Sequence, residues 1–265
     1  MDKTIELVNN VKDIHAMPSV IVKALNIMKK PTASMKEIGD IVMYDQSLTI
    51  KMLALVNSAY YGFSQQISSI NIALSLLGMV KVKNIIVAVA MKPMMSNAGD
   101  KELWKHSMRV AAGCEYLANL TKIMDSDEAF IAGFIHDVGK MVLHMTNEKM
   151  YARVISAVND GADILDAEKN YFDSDHVKTG SLLAKRWQLP ILLANIISYH
   201  HNPSLSSIPV PCNLVGSVDK IVHENFNPNT LDKDFIKTLG IDIADIEDLR
   251  ATILNKAELL INELT

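Results

Sequence analysis

The chain reads as an all-α, two-lobed helical bundle, and three observations predict it. Apolar residues recur at spacings of three and four, as in Ile38, Ile41, Val42 and Leu48, Met52, Leu55, which places each set on one helical face. Strict alternation of apolar and polar residues over five or more positions is scarce. Helix-opening punctuation agrees: Pro18 suits a first helical turn, Ser34 with Glu37 and Asp125 with Glu128 have capping-box spacing, and Pro190 can open another helix. With 265 residues, 49% hydrophobic and 21% charged, the chain can bury a sizeable core, which excludes a disordered or collagen-like chain.

Taken in order, the elements divide unequally. The charge-free stretch Met52 to Val80 carries Asn57, Gln65, Gln66 and Asn71, too polar for a membrane span. Tyr61-Gly62 marks a turn. The run Ile85 to Met91 follows Lys81 and Lys83 in a helical pattern and reads as core helix despite its β-branched residues. Met91, Met94 and Met95 read as part of the same core, the alternative being an adaptable surface for a partner. Ser96-Asn97-Ala98-Gly99-Asp100 is small, polar and turn-forming, so it is the expected seam between a lobe at 1–97 and a lobe at 98–265. Before it stands one histidine, His15; after it stand His106, His136, His144, His176, His200, His201 and His223. Chemistry therefore belongs to the second lobe.

That lobe carries polar groups where apolar ones would serve. In Ala132 to Lys140, the pair His136-Asp137 sits in an otherwise apolar helix, with Lys140 four and three residues away on the same face. A core histidine bonded to an aspartate and a carbonyl predicts the same pattern. Glu102 and His106, around Trp104, are one helical turn apart, a spacing that also suits two ligands of one metal. Turns follow at Asn159-Asp160-Gly161 and Asn227-Pro228-Asn229. Asp173 and Asp175 read as caps before a helix opening near His176. His200-His201 closes the helix begun at Pro190, and Asp219 lies in an apolar helix. Residues 241–265 form an amphipathic helix that docks on its own lobe or pairs between subunits.

Charge and cysteine usage bound the class. A net charge of −4 gives no reason to expect nucleic acid or an anionic membrane as a partner. Cys114 and Cys212 form no CxxC pair, so neither a zinc knuckle nor a disulfide framework is signalled. With no basic and apolar leader at the N-terminus, a cytoplasmic location is expected. Imidazole and carboxylate donors without thiolates suit iron, manganese, zinc or nickel.

The order His106, His136-Asp137, His176, His200-His201, Asp219 resembles the HD superfamily of metal-dependent phosphohydrolases, most closely the HD-GYP branch that hydrolyses cyclic dinucleotides. The likeness implies that His106, His136, Asp137 and Asp219 bind one metal and that His176, His200 and His201 bind a second, bridged through Asp137. Glu102 matches a carboxylate that some members use for a third. In the first lobe, Met17-Pro18-Ser19, Ile38 to Asp45, Leu48 to Gly62 and Ile70 to Gly78 are similar to the HDOD domain, the HD-related output domain of bacterial signalling proteins. Asn57-Ser58-Ala59-Tyr60-Tyr61-Gly62 is its most specific mark.

Two departures stand out. Asp45-Gln46 replaces the family's usual Asp-Pro, and this chain keeps a full ligand set where HDOD proteins have often lost part. Asn-Pro-Ser-Leu-Ser-Ser follows His200-His201 in place of a Gly-Tyr-Pro signature.

The resemblance implies a bacterial signal-transduction protein whose HD-like lobe binds one or two divalent metals. Its alternative is an active phosphohydrolase or phosphodiesterase acting on a nucleotide, with Asp137 and Lys140 as catalytic residues. Histidines that only fill polar gaps are the third reading. The implied partners are a nucleotide or phosphate ligand and a protein docked on the first lobe, with oligomerisation open.

Overall fold

The computed structural model describes residues 3–11, 34–97 and 101–264. His15, Met17-Pro18-Ser19 and the centre of the expected seam, Ala98-Gly99-Asp100, lie outside the described residues. Helices account for the fold, and no strand occurs among the described residues. They are α1 Lys3–Asn10, α2 Met35–Tyr44, α3 Gln46–Val56, α4 Ile70–Asn97, α5 Lys101–Thr121, α6 Ser126–Ile135 and α7 Val138–Thr146. There follow α8 Glu148–Asn159, α9 Ile164–Phe172, α10 His176–Arg186, α11 Ile191–Tyr199, α12 Pro209–Val222, α13 Lys233–Thr238 and α14 Ile246–Leu264.

Local chemistry sets several boundaries. At the start of α2 the Glu37 N–H donates to Ser34 Oγ (3.3 Å) and the Ser34 N–H to Glu37 Oε2 (3.1 Å), a complete capping box. Asp125 Oδ1 accepts from the N–H groups of Asp127 and Glu128 and so opens α6. Helix α4 breaks at Gly78, whose φ of 77° suits glycine, and its two arms bend by 106°. No single helix among the described residues is long and apolar enough to cross a membrane.

The apolar core continues through both halves of the sequence. Ile38, Leu48, Met52, Leu55, Leu74 and Ile86 pack in one cluster with Trp104, Met108, Phe134 and Met141. Trp104 is fully buried, with its Nε1–H donating to Ala88 O at 3.1 Å. Helix α14 docks on its own chain, against α5 and α3, burying Ile253, Leu260, Ile261 and Leu264. Full burial of each such side chain contributes about 1.5–3 kcal/mol. Helix α1 packs on α7 and α10, beyond the expected seam.

The run 57–62 ties α3, α4 and α5 together. Asn57 Nδ2 donates to Leu53 O and Ile67 O (2.8 Å each) and its Oδ1 accepts from the Ile67 N–H (2.7 Å), closing the loop between α3 and α4. Tyr60 donates its phenol to Glu115 Oε2 on α5 (2.9 Å), and Lys81 pairs with the same carboxylate. A buried carboxylate with two donors is satisfied, so these residues tie helices together.

Candidate metal centre

His136 and Asp137 occupy a two-residue turn between α6 and α7, which corrects the expectation that the pair lies within one continuous helix. Asp137 has φ −97° and ψ 16°, the bridge region used where a backbone must re-aim a side chain. It stands at the N-cap position of α7, yet its carboxylate makes no capping bond. Freed from that duty, the carboxylate turns inward and divides. Oδ2 receives Lys140 Nζ at 2.5 Å and faces His136 Nε2 at 3.2 Å and His106 Nε2 at 3.5 Å. Oδ1 faces His176 Nε2 at 3.4 Å and His200 Nε2 at 3.6 Å.

Two groups of donor atoms result, each with its atoms within 4.8 Å of one another: His106, His136, Asp137, Asp219, and His176, His200, His201. In the first, Asp219 Oδ1 lies 3.0 Å from His106 Nε2 and 3.7 Å from His136 Nε2. In the second, the Nε2 atoms of His176 and His201 are 3.0 Å apart.

Glycines allow the convergence. A Cβ on Gly139 of α7 would lie 1.9 Å from His176 O, and one on Gly216 of α12 would lie 2.1 Å from His200 O. Helices α7 and α12 thus press directly on the backbone that carries the second group.

The second nitrogen of each ring fixes what the first can do. His136 Nδ1–H donates to Gly133 O (2.7 Å) and His200 Nδ1–H to Ile196 O (3.1 Å). In a neutral imidazole the remaining Nε2 is then a bare acceptor. Both point at carboxylate oxygens, which are acceptors too. His106 Nε2, His136 Nε2, His200 Nε2 and Asp137 Oδ1 are buried with no hydrogen-bond partner. Acceptors that face acceptors in a buried pocket need a cation among them, and imidazole with carboxylate is a donor set that suits a divalent one.

The HDOD domain family model matches residues 14–203, about seven-tenths of the chain. The chain belongs to the HDOD family.

This HDOD chain is also similar along its whole length to an HDOD domain protein of unknown function from Geobacter sulfurreducens. Their identity is 23% and the TM-score 0.83, covering 99% of this chain and 97% of that one. A protein from Shewanella amazonensis SB2B, provisionally named a phosphohydrolase, shares 21% identity at a TM-score of 0.74, covering 98% of each chain. These likenesses show a common fold. An uncharacterized protein of Treponema pallidum is 26% identical over 206 residues, 74% of this chain and 39% of its own length. The HDOD chain therefore spans about two-fifths of that relative.

Electrostatics separate the two groups of the HDOD centre. Burial disfavours charge on His136, but Asp137 and then Asp219 outweigh it and raise its pKa to about 10. Burial also opposes ionisation of Asp137, and the charges of His136 and Lys140 hold its carboxyl well below the usual range. His201 goes the other way: burial, then repulsion from His176, lowers it to about 4. Burial and its neighbours His201 and His136 likewise hold His200 well below its ordinary value.

Without a metal, then, a proton takes the cation's place in the first group, while His200 and His201 in the second stand as neutral imidazoles. A metal entering the first group must displace the His136 proton. Its affinity is expected to rise about tenfold per pH unit between about pH 6 and 9. Calorimetry in buffers of different ionisation enthalpy would read the released proton; an affinity flat across that range would refute the displacement.

A cavity of about 440 Å³ opens over the first group, with His106, Lys140, His201 and Asp219 at its floor and Leu103, Ile155, Val158 and Ile164 among its walls. A second, about 460 Å³, lies against His200 and His201 on the side of Asn213 and Lys220. Lys140 thus touches both Asp137 and the first cavity.

Glu102 is not brought into either group. Its carboxylate is 66% exposed at the cavity rim and pairs with Lys105 one turn on (2.8 Å). Asp175 caps α10 as its position predicts, accepting from the Lys178 N–H, whereas Asp173 closes α9 with φ 55° and does not cap α10.

One residue escaped the sequence reading. Glu168 on α9 is fully buried, and its Oε2 accepts from both the N–H and the Nδ1–H of His176, each at 2.7 Å. The signal was a charge on an apolar stripe, since Glu168 falls four residues from both Ile164 and Phe172.

Proposed function

We propose that this HDOD protein binds two divalent cations, one in each donor group, and hydrolyses a phosphoester of nucleotide size. The observation that carries the proposal is Asp137, which aims one oxygen at each group beneath an open cavity. His106, His136 and Asp219 complete the first position, and His176, His200 and His201 the second. When bound, paired divalent ions lower the pKa of water towards neutrality and offset charge on a phosphoryl group.

The chain's own residues do the rest. Lys140 holds Asp137 ionised and presents a positive group to a phosphate entering the cavity. Leu103, Ile155, Val158 and Ile164 offer an apolar surface to the organic part of the ligand. Glu102 and Asp163 on the same cavity repel a polyanion and so favour a ligand with few phosphates.

The test incubates metal-loaded protein with cyclic dinucleotides, cyclic mononucleotides, nucleoside phosphates and a nitrophenyl phosphodiester. Turnover that stops on chelation and returns with added metal is the expected result. Metal-replete protein inert towards the whole panel would reject hydrolysis. It would favour a second reading, a signalling module whose metal centre stabilises the fold while the first lobe meets a protein partner. The exposed apolar side chains Met43, Ile50, Ile72 and Leu76 on that lobe support it.

A further inference from the structure

We propose that Glu168 is a positioning residue that makes the three-histidine group competent for its cation, an inference that rests on the metal-centre reading above. Two observations carry it. The first is tautomeric. Glu168 Oε2 accepts from His176 Nδ1 at 2.7 Å, and a carboxylate can only accept, so the ring proton sits on Nδ1 and the Nε2 lone pair faces Asp137 Oδ1 and His201. A carboxylate behind a ligating histidine fixes ring orientation and raises its basicity.

The second observation is one of charge. Asp137 and Asp219 bring two carboxylates to the first group, with Lys140 committed to one of them. Imidazoles alone make up the second, and Asp137 reaches it with one shared oxygen. A divalent cation there would be under-compensated in a buried setting. Glu168 supplies the missing negative charge one ring away. Its Oε1 is buried with no hydrogen-bond partner, so the fold retains a half-satisfied carboxylate that a merely structural acceptor would not require.

A purely structural alternative is that Glu168 only accepts from the free N–H at the start of α10. Glu168→Gln separates the two, because glutamine keeps the size and an acceptor while losing the charge. Chelator-stripped full-length protein would be titrated with Mn²⁺ and with Zn²⁺ by calorimetry, with elemental analysis of the product. The expected result is two ions bound by the wild type and one by Glu168→Gln, the second weakened about 10- to 100-fold.

Equal binding of two ions by both proteins would overturn the role of Glu168 and leave the metal centre standing. Loss of both ions in the variant would overturn the selective role, and a wild type that binds none would remove the metal centre and this inference together. Long-range ¹H–¹⁵N spectra of the wild type need no variant. His176 is expected as the Nδ1–H tautomer, and the Nε2–H form would refute the proposal.

Discussion

Asp137→Asn is expected to release both cations at once. Each oxygen of Asp137 faces a different donor group. Loss of a partner behind a ligand already costs about 10- to 100-fold in affinity, so removing the shared charge should exceed about 100-fold at both positions. The variant also strips Lys140 and His136 of the carboxylate that holds their protons. Breaking a buried pair costs about 3–5 kcal/mol, and the partial exposure of Lys140 with the amide oxygen left in place puts the loss at the lower end. Elemental analysis of protein purified without added metal, with thermal unfolding of the stripped form, reads both effects. Stoichiometric metal in Asp137→Asn would show that the two groups do not depend on a common residue.

Gly139→Ala is expected to damage the centre without touching a polar group. Its methyl would lie 1.9 Å from His176 O and 2.7 Å from Gly180 N, well inside the 3.4 Å of ordinary contact. Both neighbours are backbone, so no side chain can swing away, and α7 must part from α10. The cost should reach about 3 kcal/mol or more, against about 1–3 for ordinary overpacking. That corresponds to a fall in Tm of roughly 6–12 °C. His176 rides on α10, so the second ion should weaken with it. An alanine variant with unchanged Tm and metal content would show that the crossing is looser than these distances state.

Much of this was readable along the chain because it depends on near neighbours. Helical periodicity, the Ser34–Glu37 box and the caps at Asp125 and Asp175 each involve residues within four positions, where backbone geometry alone sets the contact. His136-Asp137 and Asp219 were legible as polar groups in apolar segments, and the resemblance to the HD superfamily joined His106, His176 and His200-His201 to them. Glu102 has the right spacing to His106, and the neighbouring Lys105 pairs with its carboxylate in solvent.

Residue types and their periodicity settled the all-α class, since it follows from the side chains and the repeat of the helix, while the resemblance to the HD superfamily supplied the candidate donors. Folding in three dimensions decided which donors meet. A turn in place of a helix at His136-Asp137 split one carboxylate between two groups, and Gly139 and Gly216 let distant backbones touch. A buried Glu168, eight residues from the histidine it serves, set that ring's tautomer. Such pairings depend on how closely helices cross, which packing controls and local spacing does not.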